Sequence, residues 1–554
     1  MSDPPEFRIG QRVHSAGDSR RIGTVKYVGP VEGYSGKWVG VDWDNADGGK
    51  HDGSLNGVRY FHAESEKSGS FVRPHNLSAG ITLLKALEIR YKSISTQEEE
   101  DEMYVFSASN RRVSVQLLGK DKIQDKLSRF EELASASLFY LGVSSSGPPC
   151  QISATIPNLK ELDLTGNLLS DWKDVGAICE GLPALVALNL TNNLMAHDIL
   201  GLPQLRNIRV LVLNNTGIKW IQVEMLKCSL PVIEELHLMG NKLSAITPPS
   251  SDIVQGFDSL RLLNLEDNCI ADWNEILKLS QLKSLEQLHL NKNSINRLWY
   301  PEYDTVHDQL GCESVETSGR PFQNLRCLLL GGNNIEDLAS VDSLNSFPNL
   351  KDTRLSENQI ADPGKGGLPR FVLIARLAQV DMLNGSEVNA RCCTPTFVSR
   401  RERKDSEIRW CLTGSFCRYV RLVMSKLHDH PEEITLLHPR FLELKEFHGI
   451  EDEKPSTGAA GPQKMASGLI SITLKCVGAS MGEKPPLTKK LPASTTVGKL
   501  KILCESFFKL KSVKPVLFLE EEGSPLPTVL DDDMATLIDV GVGNDSTVLV
   551  DEKS

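Results

Sequence analysis

The sequence predicts a multidomain protein that joins a small all-β domain, an α/β solenoid of repeats and a small α+β domain. Three observations predict this fold class: short glycine-bounded strands at the start, a leucine motif repeated through the middle, and one helix among alternating strands at the end. A chain of 554 residues is also too long for a single hydrophobic core. We place the boundaries at residues 1–90 (β domain), 91–150 (connecting segment), 151–390 (repeats with a C-terminal cap), 391–450 (helical extension), 451–467 (linker) and 468–554 (α+β domain).

The N-terminal domain is predicted from short strands with glycines at their corners, "GTVKYVG", "GKWVGVDWDN" and "GSFVRP". Among them lies "GGKHDGSLNGVRYF" (residues 48–61), which is as rich in glycine as a linker but ends like a strand. Such a stretch indicates either a very tight turn or a ligand bound close to the backbone. Residues 8–77 carry ten Lys and Arg against eight Asp and Glu, in a chain whose net charge is -11. An acidic partner is therefore possible at this domain.

The middle of the chain repeats the pattern L-x-x-L-x-L-x-x-N eight times. Each copy predicts one short strand whose leucines enter a shared core and whose asparagine bonds the backbone at the turn. The copies begin at Leu159, Leu185, Ile208, Ile233, Leu260, Leu285, Leu325 and Leu350, and Thr216 is the one exception to the asparagine. We therefore expect a curved parallel sheet in a leucine-rich-repeat solenoid.

Side chains alternate along a strand, so the residue between the second and third leucine positions points out onto the concave face. These residues are Asp163, Asn189, Val212, His237, Asn264, His289, Leu329 and Arg354. Their mixed character suits a protein client better than a small ligand, and the alternative is an ordinary solvated surface. An insertion at residues 298–319 separates the sixth and seventh repeats, and its Trp299, Tyr300 and Tyr303 serve either as a contact or as local packing.

The C-terminal segment reads as a strand pair, a threonine-led helix and further strands. This order resembles the ubiquitin-like (β-grasp) fold. The sequence ends in "VDEKS" rather than in the Gly-Gly needed for conjugation. The resemblance therefore implies a built-in docking module, and not a detachable tag.

No motif predicts an enzyme. H-E-x-x-H, the phosphate-binding G-x-x-x-x-G-K-[ST] and G-x-G-x-x-G are absent, and the G-x-S-x-G around Ser480 lacks both a following helix and a later histidine. Twelve cysteines without C-x-x-C pairs indicate reduced thiols, and we expect no metal and no cofactor. The acidic charge disfavours nucleic acid, and no apolar run or signal peptide indicates a membrane. We expect a cytoplasmic protein.

The N-terminal pattern resembles the CAP-Gly domain, whose signature G-K-N-D-G appears as Gly49, Lys50, His51, Asp52 and Gly53. The resemblance implies binding of acidic tails that end in Glu-Glu-Tyr or Glu-Glu-Phe, such as that of α-tubulin. In that role glycines would let the peptide lie on the backbone and bond its carboxylate, and Lys50 would attract the glutamates. Aromatic residues would line the slot, for which the candidates are Trp38, Trp43, Phe61 and Phe71. His51 replaces the usual asparagine, and its imidazole is expected to donate a hydrogen bond.

The ordered set of three modules resembles the tubulin-specific chaperone E family, also called tubulin-folding cofactor E, over nearly the whole chain. The resemblance implies a non-enzymatic, cytoskeleton-associated protein that captures α-tubulin, and that assembles and takes apart the αβ heterodimer with cofactors B, C and D. We expect the CAP-Gly domain to hold the tail while the solenoid holds the body of the same subunit. Two alternatives stay open: a microtubule-associated linker, and an adaptor that delivers clients to the proteasome through the ubiquitin-like domain.

Overall fold

The computed structural model describes most of the chain. The described residues are 6–92, 104–106, 112–114, 128–247 (except 197 and 200–204), 253–301, 320–388 (except 363–366), 423, 438, 440–442, 469–477 and 484–552 with short gaps at 493, 510–514, 521–526, 531–532, 534, 538–539 and 544–545. Tyr303, Ser480, the linker and nearly all of the helical extension lie outside them. The chain forms two compact units, Met1–Cys269 with Lys278–Leu285, and Ile270–Leu277 with Glu286–Ser554.

The first unit begins with a five-stranded antiparallel sheet in the order β6-β3-β2-β1-β7, beside the short hairpin β4–β5. Val39, Val41 and Trp43 of β3 alternate into its core, as the two-residue period of a strand requires. A 3₁₀ turn, Pro74–Asn76, precedes the last strand. The strands are β1 (Arg12–Ser15), β2 (Asp18–Val31), β3 (Tyr34–Trp43), β4 (Ser54–Leu55), β5 (Val58–Arg59), β6 (Gly69–Val72) and β7 (Leu77–Ser78).

A short connection joins this sheet directly to the start of the solenoid. Strand β8 (Ile81–Thr82) leads into helix α1 (Leu83–Lys92), and β8 pairs in parallel with a later strand, Val143–Ser145. The Ile81 N–H donates to the Gly142 carbonyl at 2.8 Å. In the sequence, an antiparallel strand pair falls between α1 and Val143–Ser145; its strands are β9 (Tyr104–Phe106) and β10 (Arg112–Ser114).

The repeats of the first unit form parallel strands of three residues, in which the middle residue is buried and the outer two face outward. The strands are β11 (Ser135–Ser137), β13 (Glu161–Asp163), β14 (Ala187–Asn189), β15 (Val210–Val212), β16 (Glu235–His237) and β17 (Leu262–Asn264), and β12 is Val143–Ser145. Three helices connect successive strands: α2 (Pro149–Thr155), α3 (Trp172–Gly181) and α4 (Trp220–Lys227). A 3₁₀ turn, Phe130–Glu132, precedes β11.

Strand β11 extends the solenoid into residues 91–150, which the sequence predicts to be a connecting segment. It pairs in register with β13, Ala136 beside Leu162. The repeat motif does not predict this strand, because Ala136 replaces the middle leucine and no asparagine follows at its turn. The parallel sheet therefore starts before residue 151.

The repeat asparagines do what the motif predicts. The Asn241 amide donates to the carbonyls of Leu213 and Leu238 at 2.8 and 2.9 Å, and its oxygen accepts from the N–H groups of Thr216 and Gly217. Each asparagine thus bonds two successive turns in the dry interior. Thr216 keeps one such bond, because its hydroxyl donates to the Leu213 carbonyl at 2.9 Å.

The second unit continues the pattern. Strands β18 (Gln287–His289), β19 (Cys327–Leu329) and β20 (Asp352–Arg354) are parallel, and β21 (Met382–Leu383) with β22 (Ser386–Glu387) closes the sheet as a hairpin. Its helices are α5 (Trp273–Leu277), α6 (Leu338–Ser343) and α7 (Arg370–Arg376), with 3₁₀ turns at Leu344–Ser346 and Gln359–Ala361. Tyr300 packs its ring at 5.0 Å from that of Phe347, and Trp299 is 40% exposed.

The C-terminal domain is a β-grasp sheet crossed by one helix. Its strand order is β24-β23-β27-β25-β26, in which the central pair β23–β27 is parallel. The Thr496 side chain accepts from the Lys499 N–H and caps the helix, and Leu500, Cys504 and Phe508 face the core. The elements are β23 (Leu469–Cys476), β24 (Leu487–Pro492), α8 (Val497–Phe508), β25 (Pro515–Glu520), β26 (Thr528–Leu530) and β27 (Ser546–Glu552).

Candidate functional site

The glycines of the "GGKHDG" loop are explained by the path of the chain itself. The Gly49 N–H donates to the Lys67 carbonyl, and a Cβ on Gly49 would lie 2.4 Å from the Gly69 oxygen. Gly53 has φ +96°, and a Cβ there would lie 2.1 Å from the Phe61 oxygen. The loop therefore needs glycine because it presses against its own neighbouring strand. The N–H groups of both glycines are bonded inside the domain, so the expected free glycine donors for a ligand carboxylate are not there.

His51 organises this loop as a hydrogen-bond acceptor. Its Nδ1 accepts from the Gly53 N–H at 3.0 Å, and its ring centroid lies 5.0 Å from that of Phe71. Burial lowers the pKa of His51, the Asp52 charge raises it, and the Lys50 charge lowers it further. The ring is thus neutral, with its proton on Nε2. The donor expected at this position is therefore the other ring nitrogen, Nε2, and its hydrogen bond to a ligand stays a prediction.

Aromatic rings gather beside the loop on one face of the sheet. Phe71 lies 5.2 Å from Tyr60 and 5.6 Å from Phe61, and Tyr27 lies 5.3 Å from Tyr60, all edge to face. The cluster has room because strand β3 carries a glycine, Gly40, beneath it; a Cβ there would lie 2.6 Å from the Phe61 ring. We call this cluster the aromatic slot, and its residues are Tyr27, His51, Tyr60, Phe61 and Phe71.

The structure brings together only part of the predicted slot. Phe61 and Phe71 lie in it, but Trp43 is 3% exposed and faces the opposite, core side of β3. Trp38 is two residues before Gly40 on β3 and so belongs to the same face of the strand. The Arg73 guanidinium carbon lies 3.7 Å from the centre of the Trp38 ring. Sequence reasoning missed Tyr27 and Tyr60. Tyr27 has the parity of the core residue Val25, and an irregularity in the β2–β3 pairing between the two places it opposite Gly40 instead. Tyr60 follows β5 and lies outside any strand, so alternation does not predict its direction either.

The charged residues of the loop play different parts. The Asp52 carboxylate pairs with Arg59 at 2.7 Å and accepts from the Ser54 N–H, so its pKa falls to about 2. Asp52 therefore braces the loop. Lys50 is exposed, and no ion-pair partner for it is found among the described residues. Lys50 is thus the loop cation open to a ligand.

The eight predicted concave-face residues are the third residues of strands β13 to β20, and all but the exposed Arg354 are half-buried. A second outward row, from the first residue of each strand, was not predicted, although the same alternation implies it. This row consists of Glu161, Ala187, Val210, Glu235, Leu262, Gln287, Cys327 and Asp352.

One cluster on this face superficially resembles a nucleophile site. The Cys327 thiol lies 3.8 Å from the Asp352 carboxylate, and His289 is close enough to act on the charge of Asp352. Burial, with the Asp352 charge, raises the pKa of Cys327 to about 12. The thiol is therefore protonated at neutral pH and is a poor nucleophile.

Two further features concern ligands and membranes. No group of three metal-ligating side chains occurs in the part of the chain that the structure describes. Across the same residues, no helix has both the length and the apolar character needed to span a bilayer.

Comparison with known proteins agrees with this architecture. The CAP-Gly domain family model matches residues 9–77, which confirms the predicted domain type. Tubulin-folding cofactor E of Arabidopsis thaliana is 65% identical over 553 residues, 100% of this chain and 99% of that protein. Tubulin-specific chaperone E of Danio rerio is 31% identical, over 91% of each chain. The solution structure of the C-terminal ubiquitin-like domain of mouse tubulin-specific chaperone e is 28% identical, covering 18% of this chain and 96% of that one, with a TM-score of 0.14.

The predicted fold class is thus confirmed, with a CAP-Gly domain, a leucine-rich-repeat solenoid and a ubiquitin-like domain in order. The similar proteins are named as chaperones or folding cofactors. Because the Arabidopsis thaliana protein is 65% identical over the whole of this chain, the chain belongs to the tubulin-folding cofactor E family.

Proposed function

We propose that this protein is a tubulin-folding cofactor that binds α-tubulin at two places, the acidic C-terminal tail in the aromatic slot and the body on the solenoid. The observation that carries the proposal is the aromatic slot, whose half-buried rings Tyr27, Tyr60 and Phe71 lie beside the loop of Lys50. Lys50 is exposed and has no ion-pair partner among the residues that the structure describes. Family membership supplies the client, because the relatives are named for tubulin.

The slot chemistry fits a tail that ends in an aromatic residue after glutamates. A terminal tyrosine ring would pack edge to face against Phe71 and Tyr60, as these rings already pack against each other. Lys50 would attract the preceding carboxylates, and the neutral His51 offers its Nε2–H as a donor. Since the glycine N–H groups are used internally, these side chains carry the recognition.

On this proposal the protein holds α-tubulin while other cofactors, B, C and D, act on the heterodimer in assembly and disassembly. The protein itself would supply binding and no catalysis. Size-exclusion chromatography with soluble αβ-tubulin, with and without the cofactors, tests this. A complex containing α-tubulin, with loss of dimer, supports it.

Binding of a labelled tail peptide to the full chain tests the slot. We expect Phe71→Ala to weaken binding at least about tenfold, since it removes the ring that contacts every other member of the slot. Lys50→Gln should weaken it about threefold to tenfold at low salt, because the ion pair is solvent-exposed. Lys173→Gln, an exposed lysine on α3, is the matched control and should change nothing.

Removal of the terminal tyrosine from the peptide should cost as much as Phe71→Ala. Unchanged binding in both cases would refute the slot. Absence of any complex with soluble tubulin, together with co-sedimentation with microtubules, would favour the polymer linker. A rise in client levels on deletion of residues 468–554 would favour the proteasome adaptor.

A further inference from the structure

The concave face of the first unit has a regular pattern of charge and apolar surface. Twelve outward positions come from the six parallel strands, two from each three-residue strand, and none is lysine or arginine. They are Ser135, Ser137, Glu161, Asp163, Ala187, Asn189, Val210, Val212, Glu235, His237, Leu262 and Asn264. Apart from the imidazole of His237, the ionisable side chains at these positions are therefore all carboxylates.

Apolar side chains occupy the middle of this face. Ala187 on β14 lies in register beside Val210 on β15, and Val212 follows Val210 on the same face of β15. We call these three residues the apolar strip. All three are half-buried by their neighbours and present their outer atoms to the concavity.

Carboxylates flank the apolar strip on both sides. Glu161 and Asp163 lie on β13, the strand before it, and Glu235 lies on β16, the strand after it. Asp163 is held in place by hydrogen bonds from Ser137 and Thr165, whereas His237 lies 3.6 Å from Glu235. At the edge of the sheet the Arg209 guanidinium is already paired with Glu234. The order across the face is therefore acidic, apolar, acidic.

The dimensions of this pattern match one helix. Neighbouring strands are about 4.8 Å apart, so β13 and β16 are separated by about 14 Å. An α-helix with its side chains is about 10–12 Å wide, and would lie between the two acidic strands with its apolar stripe on the strip. Lysine or arginine on both flanks of that stripe would then reach the carboxylates.

We propose that the apolar strip and its flanking carboxylates bind an amphipathic helix of the client tubulin subunit that carries basic residues on both sides of its apolar stripe. This inference rests on the proposed function, because that function supplies the client. It gives the two sites opposite charge preferences: the CAP-Gly loop selects an acidic tail and the solenoid selects a basic helix. One client would have to present both, which raises specificity.

Tubulin from which the C-terminal tails have been removed by limited proteolysis tests the inference, because the aromatic slot then has no ligand. The full chain should bind tail-less tubulin, with affinity that falls as salt rises. The double variant Glu161→Gln with Glu235→Gln should bind it about tenfold more weakly and with a shallower salt dependence. Glu180→Gln, an exposed glutamate on α3, is the matched control.

A photo-crosslinking residue in place of Val212 identifies the occupant. Crosslinks to a tubulin helix flanked by lysine or arginine support the inference. Crosslinks to an acidic or non-helical segment, or to a second copy of this chain, overturn it. So does wild-type affinity in the double variant, whose fold is checked by circular dichroism.

The controls separate the two proposals. If tailed tubulin binds and tail-less tubulin does not, the solenoid inference fails while the tail-binding function stands. If neither form binds, the proposed function fails, and the helix inference fails with it.

Discussion

At the residue scale, His51 shows how a departure from a signature can keep its geometry. An asparagine oxygen at this position could accept a hydrogen bond, and His51 Nδ1 accepts one from the Gly53 N–H at 3.0 Å. Protonation would turn Nδ1 into a donor and remove that bond. Because the folded-state pKa is lowered from 6.5, the contribution of His51 to stability is complete above that pH and is lost as the pH falls below it.

This acceptor role predicts a pH dependence of tail binding. We expect wild-type affinity to be constant above pH 6.5 and to fall by about twofold to fivefold as the pH drops further and His51 gains a proton, because protonation removes the hydrogen bond from Gly53. His51→Asn should keep the bond and flatten the profile. His62→Gln, which removes a nearby histidine hydrogen-bonded to Arg59, should leave the wild-type profile unchanged. Fluorescence anisotropy of a labelled tail peptide measures it, and identical profiles for wild type and His51→Asn would contradict the acceptor role.

At the element scale, strand β3 shows what sequence reasoning could and could not find. Its apolar alternation places Val39, Val41 and Trp43 on the core side, so Trp43 was a poor candidate for the slot on parity alone. The need for glycine at position 40 is not visible in the sequence, because it arises from Phe61, which lies 21 residues later in the chain and packs over the strand. Repeats were predictable because each carries its own local signature. Strand β11 was not predicted because its segment lacks the middle leucine and the asparagine of the motif.

Gly40→Ala tests this packing. The new methyl group would lie 2.6 Å from the Phe61 ring and 2.9 Å from the Tyr27 Cβ, so one of the two must shift and the slot must distort. We expect tail affinity to drop about tenfold and the domain to lose roughly 1–3 kcal/mol of stability from overpacking. Gly17→Ala, where a Cβ meets nothing within 4 Å, is the control. Equal tail affinity in the two variants would show that Gly40 does not shape the slot.

The repeat asparagines predict a second effect on stability at this scale. Asn241→Ala leaves two carbonyls and two N–H groups without their side-chain partner in a dry interior. Each unsatisfied buried group costs about 1–3 kcal/mol, so we expect a loss on the order of 3 kcal/mol after relaxation. Asn207→Ala, which removes one exposed bond to the Pro183 carbonyl, should cost well under half as much. The two variants are compared by the urea midpoint of the solenoid transition, followed by tryptophan fluorescence. Equal midpoints would contradict the stabilising role of the repeat asparagines.

At the scale of the whole molecule, the first unit carries both proposed sites on one directly joined scaffold. Gly80 and Gly142 meet so closely that a Cβ on Gly80 would lie 2.5 Å from the Gly142 oxygen, and His14 of the CAP-Gly sheet packs against Gly142. The Arg20 guanidinium also lies 5.7 Å from the centre of the Tyr140 ring. Such a joint differs from a flexible linker, because it restricts the orientations in which one client can reach both sites.

A two-site grip predicts how the complex with tubulin should respond to competition. Saturating free tail peptide should weaken binding of intact αβ-tubulin to the full chain by about 10²-fold, the gain expected from linking two modest sites, without abolishing it. In the Glu161→Gln, Glu235→Gln variant the same peptide should remove nearly all binding, because the second site is then also impaired. Titrations by anisotropy of labelled tubulin distinguish the cases. If the peptide abolishes wild-type binding outright, the slot alone holds tubulin. If the peptide has no effect, the solenoid alone holds tubulin. Either result would contradict binding at two sites, and the contact between Gly80 and Gly142 would then serve stability only.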